Sequence, residues 1–438
     1  MSLAKLRISD RVLRLSKEGL WILVGQAAAL AGSLAGVRLL TELLNPVQYG
    51  ELALGMSVAT LVNQVIMGPV GNGALRFYSI AHEQNDLSTY LQVVLKLALW
   101  SIGLVALIGA IATAGLLLTT HPEWIAITLA ALLYAAISGY NGVLNGIQLA
   151  ARQRSVVALF QGLDVWARIL IACALIIWLG AQSIVAMSGY CLAAALLLLI
   201  QSRFLPRTVS TASSSSANRE RWLNNIWAFS WPFSLIGAFT WMQLVSDRWA
   251  LEAFNSPQEV GLYVALYQLG YAPMSVATGL LVQFLAPILY QKAGDASDSI
   301  RVANVGRMSR YLLGVIVVVS AIAVLLTHIF HRELFRLFVA RDYASVSYLL
   351  PWMIAAGGLF AAGQSISLNL MSQLKTRVIV RPKIYTAVLG VSINFVGAHF
   401  YGISGVAVAG VIFSAAYFLW VAALLARSTE PAMKSMGC

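Results

Sequence analysis

The chain has 438 residues, of which 59% are hydrophobic and 11% charged, and a formal net charge of +12. Average soluble domains carry roughly 25% charged residues, so a soluble globular protein is excluded and a polytopic membrane protein is expected. The basic excess is scattered over many short segments rather than interleaved with aromatics on one surface, which sets nucleic-acid binding aside.

A helix needs about 20 apolar residues to cross a hydrocarbon core, and Gly19 to Leu40 and Leu52 to Val70 are the first such runs. The first is too long for a signal-peptide core. It is followed by LLNPVQYG rather than by a small-residue cleavage site, so it reads as an uncleaved span. Twelve spans are predicted in all, over 19–41, 52–73, 91–119, 124–148, 157–180, 183–204, 226–250, 261–289, 311–331, 345–371, 384–401 and 404–426.

Polar residues inside these spans are costly to bury and are therefore the functional candidates. Span one holds Ala28, Gly32 and Gly36 at small-xxx-small spacing, a close-contact face. Arg38 and Glu42, at i and i+4, form an interfacial pair at its outer end. Span two carries Asn63 and Gln64 ahead of Arg76.

In span four, Tyr134, Ser138, Asn141, Asn145, Gln148 and Arg152 step alternately by four and three, so a continuous polar ridge runs down one side of the helix. One or two such residues serve as interhelical glue; six in register favour a wet lumen over pure packing. Span five places Gln161, Asp164 and Arg168 on one face, with Asp164 and Arg168 at i, i+4 and Arg168 near mid-membrane by residue count. A self-neutralised pair that locks two helices and a role in a water-filled cavity are both open for it.

Cys173 and Cys191 fall in spans five and six and read as small packing residues. Span seven aligns Thr240, Gln243 and Asp247, with Arg248 next. Gln283, Gln364, Asn369, Gln373 and Asn394 are scattered over spans eight, ten and eleven, and each is taken singly as a packing hydrogen bond.

With the N-terminus in the cytoplasm, the inner segments collect most of the Lys and Arg, including Lys5, Arg7, Arg11, Arg14 and Lys17, whereas the outer loops hold Arg332, Arg336 and Arg341. Cationic loops resist translocation, so this bias sets the orientation. The Ser-rich stretch LPRTVSTASSSSANRERW reads as a flexible cytoplasmic linker over 205–225 between two six-helix bundles, 1–204 and 226–438. The bundles echo each other at an offset of 211 residues: NPVQYG from Asn45 lies over SPQEVG from Ser256, with Pro46 over Pro257 and Gly50 over Gly261. Each copy is the turn between the first and second spans of its half. The expected fold is all-α and polytopic, with the bundles related by a pseudo-twofold axis along the membrane normal, an architecture typical of transporters.

Enzyme signatures are missing. The five His residues are dispersed without HExxH, no Walker A sequence occurs, and the outer loops are short. No metal site is expected.

The segments GQAAALAGSLAGVRLLTELLNPVQYGELAL, GNGALRFYS, SDRWALEAFNSPQEVGLYVALYQL and LAPILY resemble the polysaccharide flippase (Wzx-type, PST) family of the multidrug/oligosaccharidyl-lipid/polysaccharide (MOP) exporter superfamily. The resemblance implies two six-helix bundles, a cationic central cavity and alternating access in the bacterial inner membrane, with both termini cytoplasmic. The cargo it implies is an undecaprenyl-pyrophosphate-linked oligosaccharide for O-antigen or exopolysaccharide, and the expected partners are membrane lipids and other polysaccharide assembly proteins. Arg38, Arg76, Asp247 and Arg248 match the family pattern; Asp164, Arg168 and the ridge residues Tyr134, Asn141, Asn145 and Gln148 are added from the helical spacing. No cofactor is expected beyond a coupling ion, H+ or Na+. The two extra C-terminal spans of the lipid II flippase branch are lacking. A cation-coupled drug or metabolite antiporter of the same superfamily is the nearest alternative, and a membrane glycan polymerase a more distant one.

In this scheme Arg168 meets pyrophosphate through charge-assisted, bidentate bonds, Asp164 orients it and offers a carboxylate to a coupling proton or ion, and the ridge receives sugar. Asp247 and Arg248, about ten residues or 15 Å above mid-membrane, are expected at an outer gate.

Overall fold

The computed structural model describes residues 25–118, 122–204, 216–293, 298–373 and 376–434. The cationic N-terminal tail, the Ser-rich stretch before residue 216, His121, Lys375, Cys438 and the side chain of Gln283 lie outside the described part. Among the described residues every regular element is helical: α1 (25–43), α2 (Pro46–Val62), α3 (Gly68–Glu83), α4 (Leu87–Leu117), α5 (Trp124–Ala150), α6 (Arg154–Leu179), α7 (Ser183–Gln201), α8 (Ser216–Phe254), α9 (Pro257–Ala293), α10 (Ser299–Phe338), α11 (Leu350–Ser372) and α12 (Thr376–Lys434). Eight candidate spans among them are long and apolar enough to cross a membrane. The protein is an all-α polytopic membrane protein.

Three departures from the sequence-based spans have physical causes. The start of span ten is a 3-10 segment, Arg341–Leu349, and the α-helix proper begins at Leu350 with Pro351 in its first turn, where proline's missing N–H costs nothing. Spans eleven and twelve run together as α12, broken at Gly402 (φ 55°, ψ −137°), a conformation that only glycine adopts cheaply. Span two is a rod from Pro46 to Glu83 interrupted by a π-helical turn, Asn63–Met67. Pro69 lacks an amide for the Val65 carbonyl, and its ring crowds that carbonyl. The wider turn just before it accommodates the break in the ladder.

The chain divides into two compact units, Met1–Leu44 with Glu51–Trp241, and Asn45–Gly50 with Met242–Cys438. In the first, α1 lies against α6 along the small-residue face: Gly25 meets Ala158, Gly32 meets Val165 and Trp166, and Gly36 meets Ile169. The Trp166 Nε1–H donates to the Ala28 carbonyl (3.0 Å). The early part of α8 completes this unit's core. Trp222, 1% exposed, packs on Tyr90 and Phe77, and its indole N–H donates to Asp86 (2.9 Å). Further along, the Trp241 indole donates to the Ser57 carbonyl (2.7 Å). The chain passes from the first unit to the second within α8, between Trp241 and Met242.

The second unit is centred on α11, which is buried along most of its length. Gly357 receives Met274 of α9, Gly358 receives Ser320 of α10, and Gly363 receives Tyr417 of α12. The two copies of the repeated turn meet here. A Cβ on Gly50 would overlap the Pro257 carbonyl oxygen, and a Cβ on Gly261 would overlap the Pro46 carbonyl oxygen. Both glycines are therefore demanded by the same reciprocal approach of two backbones.

Candidate functional site

In the first unit, α6 presents Asp164 and Arg168 one turn apart, so the guanidinium folds back along its own helix. Its NH2 lies 2.9 Å from Asp164 Oδ2 and its Nε donates to the Asp164 carbonyl (3.3 Å). Its NH1 donates to the Tyr134 hydroxyl on α5 (2.9 Å), with the Tyr190 ring of α7 centred 5.8 Å away. At least three of the five guanidinium N–H donors are thus engaged. The side chains of Arg168 and Asp164 retain 22% and 33% exposure, so the pair is half-buried rather than sealed.

The polar chain continues past the pair. Tyr134 is hydrogen-bonded to Ser138, and Ser138 accepts from Asn63 Nδ2 in the π turn (3.0 Å). Asp164, Arg168, Tyr134, Ser138 and Asn63 therefore form one network across α6, α5 and the span-two rod. The π turn brings Asn63 to this network and leaves the Asn63 and Gln64 side-chain carbonyls buried without a partner among the described residues. Buried amide oxygens in that state are costly.

The lower part of the span-four ridge has a different fate. Asn141, 8% exposed, donates to the Ala194 carbonyl of α7 (3.0 Å). The Gln201 side-chain amide donates to Asn145 (2.8 Å) and to Gln148 (3.0 Å), the latter fully buried. These three residues tie α5 to α7. Along the ridge Tyr134, Asn141 and Gln148 are buried and Ser138 and Asn145 partly buried, so its role as a polar lining stays a proposal. The helical spacing identifies the face but not the neighbour; α7 supplies a partner to each, while Asn141 Oδ1 and Gln148 Nε2 stay buried without one among the described residues.

In the second unit Asp247, 7% exposed, accepts from the Tyr263 hydroxyl (2.6 Å) and from the backbone N–H of Arg248 (2.7 Å). The Arg248 guanidinium carbon lies 5.4 Å from the Tyr267 ring centroid. Tyr263, Tyr267 and Tyr271 form a ring ladder up α9 that continues to Phe360 and Tyr417. A cavity of about 60 Å³, room for a few waters, sits beside Asp247 and is lined by Gln243, Tyr263, Tyr267 and Asn394 among others.

Arg38 pairs with Glu42 at 2.9 Å, both substantially exposed, and Arg76 lies exposed with its guanidinium 5.9 Å from the Phe77 ring. Tyr190 and Gln201 were not singled out from the sequence; Gln201 was legible as an amide ending the apolar run LLLLIQ, while nothing marks Tyr190. The tyrosine ladder was legible too, as a stripe at i, i+4, i+8 in YVALYQLGY. Among the described residues no group of three potential metal ligands occurs.

A family model described as polysaccharide biosynthesis protein matches residues 15–293, more than half of the chain. The chain belongs to that family. The matched family is the polysaccharide (PST) flippase family. A comparison by sequence with curated proteins finds no match.

Solved structures share the fold of this family member. The inward-facing form of a multidrug resistance MATE family transporter of the MOP superfamily superposes with a TM-score of 0.60 at 16% identity, covering 98% of this chain and 99% of that one. A mutant of the Vibrio cholerae MATE transporter VcmN gives 0.61 at 14% identity, covering 96% and 98%. A MOP superfamily transporter from Pyrococcus furiosus, whose binding pocket of reverse polarity suggests a different function, gives 0.55 at 15% identity, covering 93% and 94%. At such identities the likeness is one of fold, and that fold, like the family, is of the transporter and flippase type.

Proposed function

We propose that the protein is a flippase that carries a polyprenyl-pyrophosphate-linked oligosaccharide from the cytoplasmic to the periplasmic leaflet of a bacterial inner membrane by alternating access. Both termini face the cytoplasm in this reading, following the distribution of cations between loops. The observation that carries it is the half-buried guanidinium of Arg168, held by Asp164 and Tyr134 in a chain of the polysaccharide biosynthesis family. A pyrophosphate crossing a low-dielectric slab needs donors to replace its hydration, and a pre-oriented guanidinium supplies them as a fork.

Asp164 is the internal substitute for the cargo. It holds Arg168 in place between cycles, and the incoming phosphate displaces it from the guanidinium. A displaced carboxylate in low dielectric then gains from binding a proton or a small cation, which gives a route for coupling to H+ or Na+. Tyr134, Ser138 and Asn63, continuing from the same guanidinium, offer hydroxyl and amide partners to the first sugar. The protein's work in this account is binding and reorientation, with no bond made or broken.

The MATE neighbours raise a second reading, export of small molecules, because one of them is a multidrug resistance transporter with 0.60 structural similarity. A guanidinium at the centre of the first unit's network opposes a cationic cargo. The separating experiment is deletion of the gene, followed by leaflet analysis of lipid-linked sugars. Under the flippase reading, finished lipid-linked units accumulate on the cytoplasmic leaflet. A polymerase would leave single units exported, and a drug exporter would leave glycan unchanged; either result ends the proposal. Arg168→Ala inserted at wild-type level and displaying wild-type surface glycan would remove Arg168 from it.

A further inference from the structure

The first unit carries a feature that the Arg168 network does not use. A groove of about 590 Å³ is walled by the π turn and α3, by α4, and by the early part of α8. Its volume falls within the range of roughly 300–1,000 Å³ typical of ligand sites. The walls are mostly hydrocarbon and indole, Ile66, Leu97 and Leu104 with Trp100, Trp227 and Trp231, with Asn224 and three serines as the polar lining. The three indoles are between half and two thirds exposed, so the trough is open along its side. The α8 wall extends from Leu223 to Ser234, about 16 Å at 1.5 Å per residue. A sugar would find few hydrogen-bond partners in such a trough, whereas a linear hydrocarbon fits both its lining and its length.

At the rim stands Lys96, the single charged residue in the 31 residues of α4. Its ammonium lies 4.8 Å from the centroid of the Trp100 ring, the same indole that walls the groove. A charge placed inside an otherwise apolar span is costly and marks a ligand path by default. Lysine is a compact point charge suited to a phosphate oxygen. A diacyl phospholipid brings two chains to a flat surface; one trough with one cation at its rim matches a single hydrocarbon chain with an anionic head. We propose that this groove seats the polyprenyl chain of the lipid-linked cargo, with Lys96 meeting its phosphate, an assignment that rests on the flippase reading above.

The test uses the full chain in phosphatidylcholine nanodiscs and a photoreactive polyprenyl phosphate, with mapping of the labelled peptides. The expected result is saturable labelling of the α4 and early α8 peptides, displaced by unlabelled polyprenyl phosphate and not by phosphatidylglycerol. Two variants that fill the trough, Ser101→Trp and Leu104→Trp, lower labelling at least tenfold while keeping wild-type elution and melting behaviour. Lys96→Gln lowers labelling by the phosphate several-fold and leaves labelling by the uncharged polyprenol unchanged. Equal displacement by phosphatidylglycerol means that ordinary membrane lipid fills the groove and overturns the proposal. So does wild-type labelling of both folded tryptophan variants.

Translocation by the same nanodisc-competent protein, reconstituted in vesicles, separates the two claims. Filled-groove variants that still translocate lipid-linked sugar at the wild-type rate sink the groove and leave the flippase standing. Wild-type protein that is labelled in the groove but moves no lipid-linked sugar sinks the flippase and leaves the groove as a polyprenyl phosphate site.

Discussion

The two units handle a buried charge in opposite ways. In the first, Asp164 faces Arg168 directly at 2.9 Å, and the guanidinium is further held by a tyrosine hydroxyl. In the second, Asp247 spends its carboxylate on the Tyr263 hydroxyl and a backbone N–H, while the Arg248 guanidinium rests over the Tyr267 ring. A direct ion pair in a half-open site can be exchanged for an anionic ligand, because the ligand restores what the carboxylate gave. In the aromatic ladder the acid is held by a hydroxyl and a backbone amide, and the guanidinium lies on a ring with its Nε unpartnered among the described residues. In the flippase reading proposed above, the cargo chemistry is assigned to the first unit.

The strongest way to break this comparison is to remove each arginine in turn. Arg168→Ala is expected to lower lipid-linked sugar translocation about 100-fold, equivalent to about 2.8 kcal/mol at roughly 1.4 kcal/mol per decade and in the range of one or two charge-assisted bonds. Arg248→Ala is expected to lower it by about tenfold or less on the same scale. Rates measured in reconstituted vesicles decide, and the reverse order would place the cargo site in the second unit.

A smaller effect sharpens the claim that the ladder is structural. Tyr263→Phe takes a donor from a buried carboxylate and is expected to cost about 1.5–3 kcal/mol of stability, read as a lowered melting temperature in detergent with translocation little changed. Gln201→Leu removes the shared donor of Asn145 and Gln148, with an expected cost of about 1–2 kcal/mol and no change in the apparent affinity for cargo. A weaker affinity would return those two amides to the cargo path. Least of all, Arg38→Gln breaks an exposed i, i+4 pair with Glu42, and a shift beyond about 0.5 kcal/mol in melting analysis would contradict its solvated character.

Hydropathy made the spans legible because apolar length is a property of the chain alone. Spacing made the Asp164 and Arg168 pair legible for the same reason, since i, i+4 on a helix settles who can touch. The partners of Asn141, Asn145 and Gln148 were not legible because a helical wheel cannot say what faces it; α7 supplies the carbonyl of Ala194 and the amide of Gln201. The repeated Pro and Gly positions were visible as turns. Their mutual contact was not, because it depends on two backbones meeting across 211 residues of sequence.

The π turn at Asn63–Met67 has a consequence for how α3 is phased. An α-helix turns each residue by about 100°, so the single surplus residue sets every side chain after Met67 about 100° away from where an unbroken helix starting at Pro46 would aim it. The buried face of α3, Pro69, Val70, Gly73, Ala74 and Ala81, exists only with that offset. Deleting one residue from the turn would therefore act as a rotation of the whole segment, swinging Arg76 off its present face while leaving composition and hydropathy almost untouched.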